Sequence, residues 1–309
     1  MIGLKAISSY IPSMTRDNFA LAKQFGKSEE FVIQRLGGHV LPLMEEGMET
    51  SDMAVKALTR LLNETGLDKK EIDCLVLCTQ NPDGRGLPHT SAIVQKKAGL
   101  SVSVAAFDIS LGCSGYVYGL NIVKGFMEAS GLRTGVLITA DPYSKIIDEN
   151  DMNTVMLFGD AATATLITDD PLFSFGESVF STHGEGASDL KNEDGVLYMN
   201  GRNVFNFVAT EVVQQIENLL RIANLSKEDI DCYVLHQGSK YIVETLSRRL
   251  DIQNKVICSM EKTGNTVSSS IPLILQKTIM QNRNNKILIS GFGVGFSIGT
   301  MIIERSTTN

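Results

Sequence analysis

Residues 67–78 read LDKKEIDCLVLC, and residues 225–236 read LSKEDIDCYVLH, with identity at seven of the twelve aligned positions. The two stretches lie 158 residues apart in a chain of 309 residues. Each follows an amphipathic helical pattern, over 51–65 and 210–223, and each ends in an apolar run typical of a buried strand. The recurrence indicates that one helix and strand unit occurs twice in the chain.

Two further blocks recur in the same order at nearly the same offset. Gly112-Cys113 corresponds to Gly264-Asn265, and VLIT at 136–139 corresponds to ILIS at 287–290. Three blocks in order predict a duplicated α/β unit, with one half at 1–165 and the other at 166–309. No low-complexity linker separates the halves, so we expect them to share one body.

The composition excludes several classes of protein. Hydrophobic residues make up 43% of the chain and charged residues 20%, which is typical of a globular protein and excludes a disordered or fibrous one. The 28 Lys and Arg against 35 Asp and Glu give a formal net charge of −7. An acidic chain without a basic tract argues against binding to nucleic acid or to an anionic membrane surface.

The sequence also predicts a cytoplasmic protein without a metal site. Lys5 interrupts the N-terminal apolar residues, so no export signal is recognised. The uncharged stretch 287–303 contains four glycines and favours two buried strands joined by a turn over a membrane span. The five cysteines are an odd number, which argues against a disulfide framework. Cys74 and Cys78 lie on one predicted strand, too far apart for a metal pair, and we expect both in the core.

Cys113 is the cysteine with the most reactive surroundings. The segment FDISLGCSGYVYGL at 107–120 reads as a strand, a tight glycine turn and a helix. A thiol at a helix N-terminus is favoured as the thiolate, which is the nucleophilic form. The small neighbours Gly112, Ser114 and Gly115 would allow a substrate carbonyl to approach both the sulfur and the Cys113 N–H, as acyl transfer requires. The same segment also fits a small buried thiol without a chemical role.

Two residues of the second half complete a candidate site. His236 ends the repeated strand, where its counterpart in the first half is Cys78. Asn265 occupies the position of Cys113 in the repeat, although an asparagine there also fits a turn or a helix cap. A pseudo-twofold axis between the halves would bring the helix starts after Cys113 and Asn265 together near the centre of the molecule.

The glycine-rich segment SGFGVGFSIG at 290–299 resembles a dinucleotide fingerprint only superficially. It is β-rich and has no following helix with an acidic residue downstream. We expect a strand, glycine turn and strand whose backbone N–H groups could stabilise an oxyanion.

Together these residues resemble the 3-oxoacyl-acyl-carrier-protein synthase III (ketoacyl synthase III) family of the thiolase superfamily. The family has the same order of Cys, His and Asn, and the resemblance runs over essentially the whole chain. It implies a thiolase-like α/β fold with αβαβα layers and pseudo-twofold symmetry. The blocks that carry the resemblance are 28–35, 107–115, 143–148, 158–161, 236–237, 264–266 and 291–299.

The resemblance implies a role for each site residue. Cys113 would be acylated by a thioester, and His236 and Asn265 would hold the carbonyl of a malonyl thioester as it loses CO2. Phe292 would crowd the malonyl carboxylate, and the N–H groups of Cys113 and Val294 would hold the oxyanion. The implied substrates are acyl thioesters of coenzyme A or acyl carrier protein, with no cofactor and no metal. The implied assembly is a homodimer.

The chain departs from the family pattern around the carrier and the acyl tunnel. His236-Gln-Gly-Ser239 replaces a His-Gln-Ala-Asn pattern, and Tyr241 replaces an arginine that contacts the carrier. An aromatic and a basic residue that sandwich the adenine of coenzyme A align with Phe31 and Met152. Leu87 replaces an aromatic gate from the neighbouring subunit. The implied substrate- or carrier-binding residues are Phe31, Arg35, Leu87, Met152, Gly201, Ser239 and Lys240.

The leading hypothesis is therefore a decarboxylating Claisen condensation in fatty-acid initiation or a specialised pathway. The first alternative keeps Cys113 and His236 but moves an acyl group onto an alcohol or amine. A reaction like that of hydroxymethylglutaryl-CoA synthase fits less well, because no residue matches that group's catalytic glutamate. The remaining alternative is a partner subunit without catalysis, against which the complete Cys, His and Asn set argues.

Overall fold

The structure, a computed structural model, describes residues 1–306. The strands are β1 Gly3–Tyr10, β2 Met14–Asp17, β3 Val40–Leu43, β4 Cys74–Cys78, β5 Ala105–Ile109, β6 Thr134–Ala140, β7 Ala162–Thr168, β8 Phe173–Thr182, β9 Leu190–Glu193, β10 Val196–Met199, β11 Cys232–Leu235, β12 Lys286–Gly293 and β13 Ser297–Arg305. The α-helices are α1 Asn18–Gln24, α2 Glu29–Phe31, α3 Thr50–Thr65, α4 Thr90–Ala98, α5 Gly115–Ser130, α6 Met152–Val155, α7 Gly201–Phe207, α8 Val213–Ile222, α9 Lys240–Leu250 and α10 Ser270–Thr278. π-Helical segments at Val32–Leu36 and Val208–Val212 continue α2 and join α7 to α8.

The sheet topology repeats in the two halves of the chain. The first half has the order β1-β7-β6-β4-β5, and the second has the order β8-β13-β12-β11. In both orders the first two pairings are antiparallel and the third is parallel. Val256 forms a parallel bridge with Tyr233 of β11, at the place that β5 occupies in the first half. The repeat seen in the sequence is therefore a repeat of structure.

Helices and sheets alternate in the predicted αβαβα layers. α5 contacts β4 and β6 of the first half and also β12 and β13 of the second. α10 likewise contacts β1 and β7 of the first half and β11 and β12 of the second. Because β1 also pairs with β8, the two orders form one nine-stranded sheet, and both helices lie between its two halves. α3 and α4 cover the outer face of the first half, and α8 contacts β8 and β13 of the second. This arrangement confirms the predicted fold class.

The boundary between the halves at 165/166 stays a prediction. Thr165 lies inside β7, which pairs with β1 and β6 of the first half. The connection at 169–172, between β7 and β8, is the point where the chain passes from one sheet order to the other.

Two local predictions are confirmed. Cys74 and Cys78 are fully buried on β4, where they face the core between the sheets, while Leu75 and Leu77 face the core under the outer helices. The apolar stretch 287–303 forms β12 and β13, which pair antiparallel around a turn at Val294–Phe296. Across residues 1–306, no helix has the length and apolar character needed to cross a membrane.

Candidate active site

Cys113, His236 and Asn265 line one cavity of about 410 Å³. Cys113 lies in the turn between β5 and α5, His236 follows β11 directly, and Asn265 precedes the short helical turn Val267–Ser269 that leads into α10. Phe292 and Val294, at the end of β12 and in the next turn, line the same cavity. The duplicated fold thus brings residues from distant parts of the chain together around one cavity, as the repeat predicts.

Cys113 is buried, and its environment differs from the predicted one. The side chain is 5% exposed and lies two residues before α5 begins. Burial, followed by the carboxylate of Asp141, raises the pKa of the Cys113 thiol to about 12, although the N–H groups of Val294 and Cys113 act to lower it. The expectation of a thiolate at rest is therefore wrong, because desolvation outweighs the helix terminus. The two N–H groups do face the sulfur, as an oxyanion site requires.

Two glycines of β12 allow the strand to approach Cys113 closely. A Cβ atom on Gly293 would lie 2.8 Å from the Cys113 sulfur, and one on Gly291 would lie 2.6 Å from the Cys113 carbonyl oxygen. Distances this short exclude any side chain at these positions without a shift of the turn. The glycine-rich segment therefore serves close packing against the cysteine, which agrees with the strand, turn and strand predicted for it.

His236 is held in a fixed orientation. Its backbone N–H donates to the carbonyl of Ser290 at 2.9 Å, and its ring Nδ1 lies 2.7 Å from the Ser270 hydroxyl oxygen. The Phe292 ring packs edge-on against the imidazole, with 5.3 Å between ring centroids. Burial lowers the pKa of His236 to about 3, so the ring is neutral at physiological pH. When Ser270 donates its hydroxyl proton to Nδ1, the ring proton sits on Nε2 and can be donated to a substrate.

Asn265 is held by a strained turn. Its side-chain Oδ1 accepts a hydrogen bond of 2.9 Å from the Val267 N–H, and its Nδ2 lies 3.5 Å from the Gly238 carbonyl oxygen. Val267 has a φ of 52°, which is unusual for a β-branched residue and marks a conformation that the surroundings enforce. With Oδ1 engaged, Nδ2 is the Asn265 group free to donate to a substrate.

The predicted substrate- and carrier-binding residues divide into two groups. Members of the first group line the cavity: Phe31, Arg35, Met152, Gly201 and Ser239. Lys240 does not line it and lies at the first residue of α9, with its Nζ 3.9 Å from Glu244. Leu87 does not line it either and is 88% exposed, so any role of this side chain requires another molecule.

A stack of side chains stands at one end of the cavity. The Arg35 guanidinium lies 4.2 Å from the centroid of the Tyr241 ring, and Tyr241 stacks on Phe205 at 5.2 Å. Arg35, on the π-helical segment that continues α2, is thus held against an aromatic face. Sequence reasoning noted Tyr241 only as a replaced arginine and missed Phe205.

Sequence reasoning also missed the apolar wall near Cys113. These cavity residues are Tyr143, Leu157, Phe158, Leu190, Met199 and Val204. Tyr143 and Phe158 lie inside blocks that carry the family resemblance, which is the one signal that could have identified them. Leu190, Met199 and Val204 have no such signal, because β9, β10 and α7 bring them to the cavity only in the folded chain. Leu157 directly precedes Phe158 and lies outside its block.

Sequence reasoning also missed Asp141, a buried carboxyl group. It is 1% exposed, and burial raises the pKa of its carboxyl to about 7. Its Oδ1 accepts hydrogen bonds from the Gln80 N–H at 3.0 Å and from the Asn81 side chain at 3.1 Å. Its negative charge acts on Cys113 and is one cause of the raised thiol pKa.

Among residues 1–306, no cluster of three or more His, Cys, Asp and Glu side chains could hold a metal ion.

The sequence is similar to one family of known proteins. Residues 107–184 match 3-oxoacyl-[acyl-carrier-protein (ACP)] synthase III, and residues 220–305 match its C-terminal part. Beta-ketoacyl-[acyl-carrier-protein] synthase III of Lactococcus lactis is 30% identical, over 96% of this chain and 97% of that protein. Beta-ketoacyl-[acyl-carrier-protein] synthase III 1 of Bacillus cereus is 32% identical, over 98% of each.

A solved structure extends this similarity to the whole fold. The crystal structure of 3-oxoacyl-[acyl-carrier-protein] synthase III from Aquifex aeolicus matches this one with a TM-score of 0.91 and 27% sequence identity. The match covers 98% of this chain and 100% of the other. With the matched regions and the relatives above, it follows that the chain belongs to the 3-oxoacyl-[acyl-carrier-protein] synthase III family.

Proposed function

We propose that this protein is an acyltransferase that carries out a decarboxylating Claisen condensation, joining an acyl group to a malonyl thioester. The observation that carries the proposal is the shared cavity of Cys113, His236 and Asn265. The names of the relatives, beta-ketoacyl-[acyl-carrier-protein] synthase III, support the same reaction. The proposed substrates are acyl thioesters of coenzyme A or acyl carrier protein, in fatty-acid initiation or a specialised pathway, and the reaction needs no resident cofactor.

The first step loads the acyl group. The Cys113 sulfur attacks the carbonyl of an acyl thioester, and the carrier leaves as a thiol after taking the proton that Cys113 gives up. The negative charge that develops on the carbonyl oxygen is stabilised by the N–H groups of Cys113 and Val294, which face the sulfur. A pKa of about 12 means that Cys113 is a thiol at rest, so its proton passes to the sulfur of the leaving carrier during the attack.

The second step forms the carbon–carbon bond. Loss of CO2 from the malonyl thioester leaves its bonding electron pair on an enolate, whose oxygen accepts hydrogen bonds from His236 Nε2 and Asn265 Nδ2. The enolate carbon attacks the acyl carbonyl on Cys113, and the Cys113 sulfur leaves, so that a 3-oxoacyl thioester forms. Phe292, packed against the imidazole, makes the surroundings of the malonyl carboxylate apolar and favours its loss as neutral CO2.

Intact-mass spectrometry with CO2 detection tests this proposal. The protein is incubated with acetyl-coenzyme A or acetyl-carrier protein and then with malonyl-carrier protein. We expect a Cys113 adduct that disappears as CO2 and a 3-oxoacyl product appear. An adduct that persists with the malonyl donor but discharges onto an alcohol or amine would contradict condensation and favour simple acyl transfer.

We further propose a homodimer that forms along β5. This strand is at the end of the sheet order, and all five of its residues are only partly buried. An unpaired edge of this kind favours pairing with a second copy. The exposed Leu87 would then be available to the partner subunit. Sedimentation equilibrium at micromolar concentration should give twice the chain mass of 33.7 kDa, and a monomer would contradict the dimer.

A further inference from the structure

A second cavity lies directly behind the apolar wall of the first. Its volume is about 670 Å³, and the side chains around it are largely polar or charged. They include Glu49, Gln80, Arg85, Lys145 and Asp194. The first cavity, in contrast, is predominantly apolar around Cys113, where Tyr143, Phe158 and Leu190 pack in one cluster with the cysteine.

One pair of side chains in direct contact separates the two cavities at one point. Tyr143 lines the first cavity and Gln80 lines the second. The Tyr143 hydroxyl donates a hydrogen bond of 3.2 Å to Gln80 Oε1. We name this pair the Tyr143–Gln80 partition. Tyr143 is 2% exposed, and its ring packs against Phe158 with 4.8 Å between ring centroids.

Neighbouring groups hold the partition in place. The Gln80 N–H donates to Asp141 Oδ1 at 3.0 Å, which fixes the backbone after β4. A Cβ atom on Gly112 would lie only 2.5 Å from Gln80 Oε1, so the Gln80 amide fills the space that a side chain would take next to Cys113. Side chains packed this closely cannot move apart without a loss of stability. The partition is therefore a fixed boundary and not a loose contact.

We propose that the Tyr143–Gln80 partition sets the upper length of the acyl group that Cys113 can carry. An acyl chain on the sulfur extends into the apolar cluster and meets the Tyr143 ring, beyond which lies the second cavity. The native chain should therefore take short acyl groups, and loss of the ring should open a passage for longer ones. This inference rests on the proposed acylation of Cys113. Both residues of the partition belong to the same chain.

Rates of acylation measure the limit directly. Acetyl, butyryl, octanoyl and decanoyl thioesters of N-acetylcysteamine are small donors that avoid carrier recognition, and intact-mass spectrometry follows the Cys113 adduct. In Tyr143→Ala, the ratio of octanoyl to acetyl acylation rates should rise at least about tenfold over the native ratio, since single methylene groups in apolar pockets already discriminate by about this factor. Tyr143→Leu should give a smaller rise, and Gln80→Ala should also raise the ratio.

Controls separate the partition from general loosening of the protein. Tyr118→Ala removes a half-buried aromatic ring of α5 that lines neither cavity, and its ratio should stay at the native value. Continued acetylation of Tyr143→Ala shows that the variant is folded. If that variant does not fold, the ratios of octanoyl to acetyl acylation rates in Tyr143→Leu and Gln80→Ala test the inference instead.

Two results would overturn the inference while leaving acylation intact. One is a native protein that takes decanoyl as fast as acetyl, and the other is an unchanged ratio in all variants of the partition. Failure of every donor to acylate native Cys113 would instead refute the proposed function, and the inference with it.

Discussion

Cys113→Ala should abolish both the acyl adduct and the condensation. Cys113 is the one cysteine among the residues that line the cavity, so its sulfur is the one thiol there that can form the thioester. Removing a nucleophile in enzymes of this kind lowers the rate by at least about 10⁴-fold. The measurement is intact mass after incubation with acetyl-coenzyme A or acetyl-carrier protein, followed by detection of CO2 and of the 3-oxoacyl product.

Cys258→Ala is the matched control. Cys258 is the half-buried cysteine, whereas Cys74, Cys78 and Cys232 are buried in strands, so it is the thiol outside the cavity most open to a reagent. This variant should form the adduct as the native protein does. An adduct of unchanged size on Cys113→Ala would refute Cys113 as the nucleophile.

His236→Ala should separate the two halves of the reaction. His236 Nε2 is proposed to donate to the enolate oxygen, and loss of one such donor costs about 10²–10³-fold in rate. Loading of Cys113 depends chiefly on the sulfur and on the N–H groups of Cys113 and Val294, so we expect it to fall much less. CO2 release from malonyl-carrier protein, measured on pre-acetylated enzyme, should therefore drop by about 10²–10³-fold while the adduct still forms.

Asn265→Ala should show the same separation, and His89→Ala serves as the matched control. His89 is exposed and lines neither cavity, so its loss should leave both steps unchanged. Equal loss of acylation and CO2 release in His236→Ala would contradict the assigned role and make His236 chiefly the base for Cys113.

The pH dependence of CO2 release provides a separate check on His236. Its pKa is lowered to about 3 by burial, which favours the neutral ring over the charged one. Above that pKa the ring stays neutral, so His236 should cause no change in rate near the ordinary histidine pKa of about 6.5. CO2 release that falls as His236 becomes protonated near pH 6.5, and that loses this fall in His236→Ala, would contradict a neutral buried ring.

Much of the architecture could be predicted from the sequence because the same pattern of helix and strand residues occurs twice along the chain. The recurrence of 67–78 at 225–236 predicts the pair β4 and β11, and the recurrence of 136–139 at 287–290 predicts β6 and β12. The two strands of each pair hold equivalent positions in the strand orders of the two halves, so the repeat along the chain corresponds to a repeat in the sheet. His236 could be singled out because it ends the repeated strand, and Cys113 and Asn265 because they hold the same position in a second recurring block.

Other properties depend on which groups pack together, and no local pattern carries that information. The Cys113 pKa rises because folding removes water from the sulfur, which outweighs the helix start recognised in the sequence. The partner of His236 Nδ1 is Ser270, 34 residues away, and the partner of the Tyr143 hydroxyl is Gln80, 63 residues away.

The sequence by itself therefore determined the duplicated fold, the family and the residues of the candidate site. Repeats, hydrophobic periodicity and the types of residue at strand ends are properties of the sequence, and they can be recognised without knowing which residues are in contact. Only the tertiary structure decided the raised pKa of Cys113, the absence of Lys240 and Leu87 from the cavity lining and the contact between Tyr143 and Gln80. The physical reason is that desolvation, close packing and hydrogen bonding depend on distances between atoms that the chain brings together only when it folds.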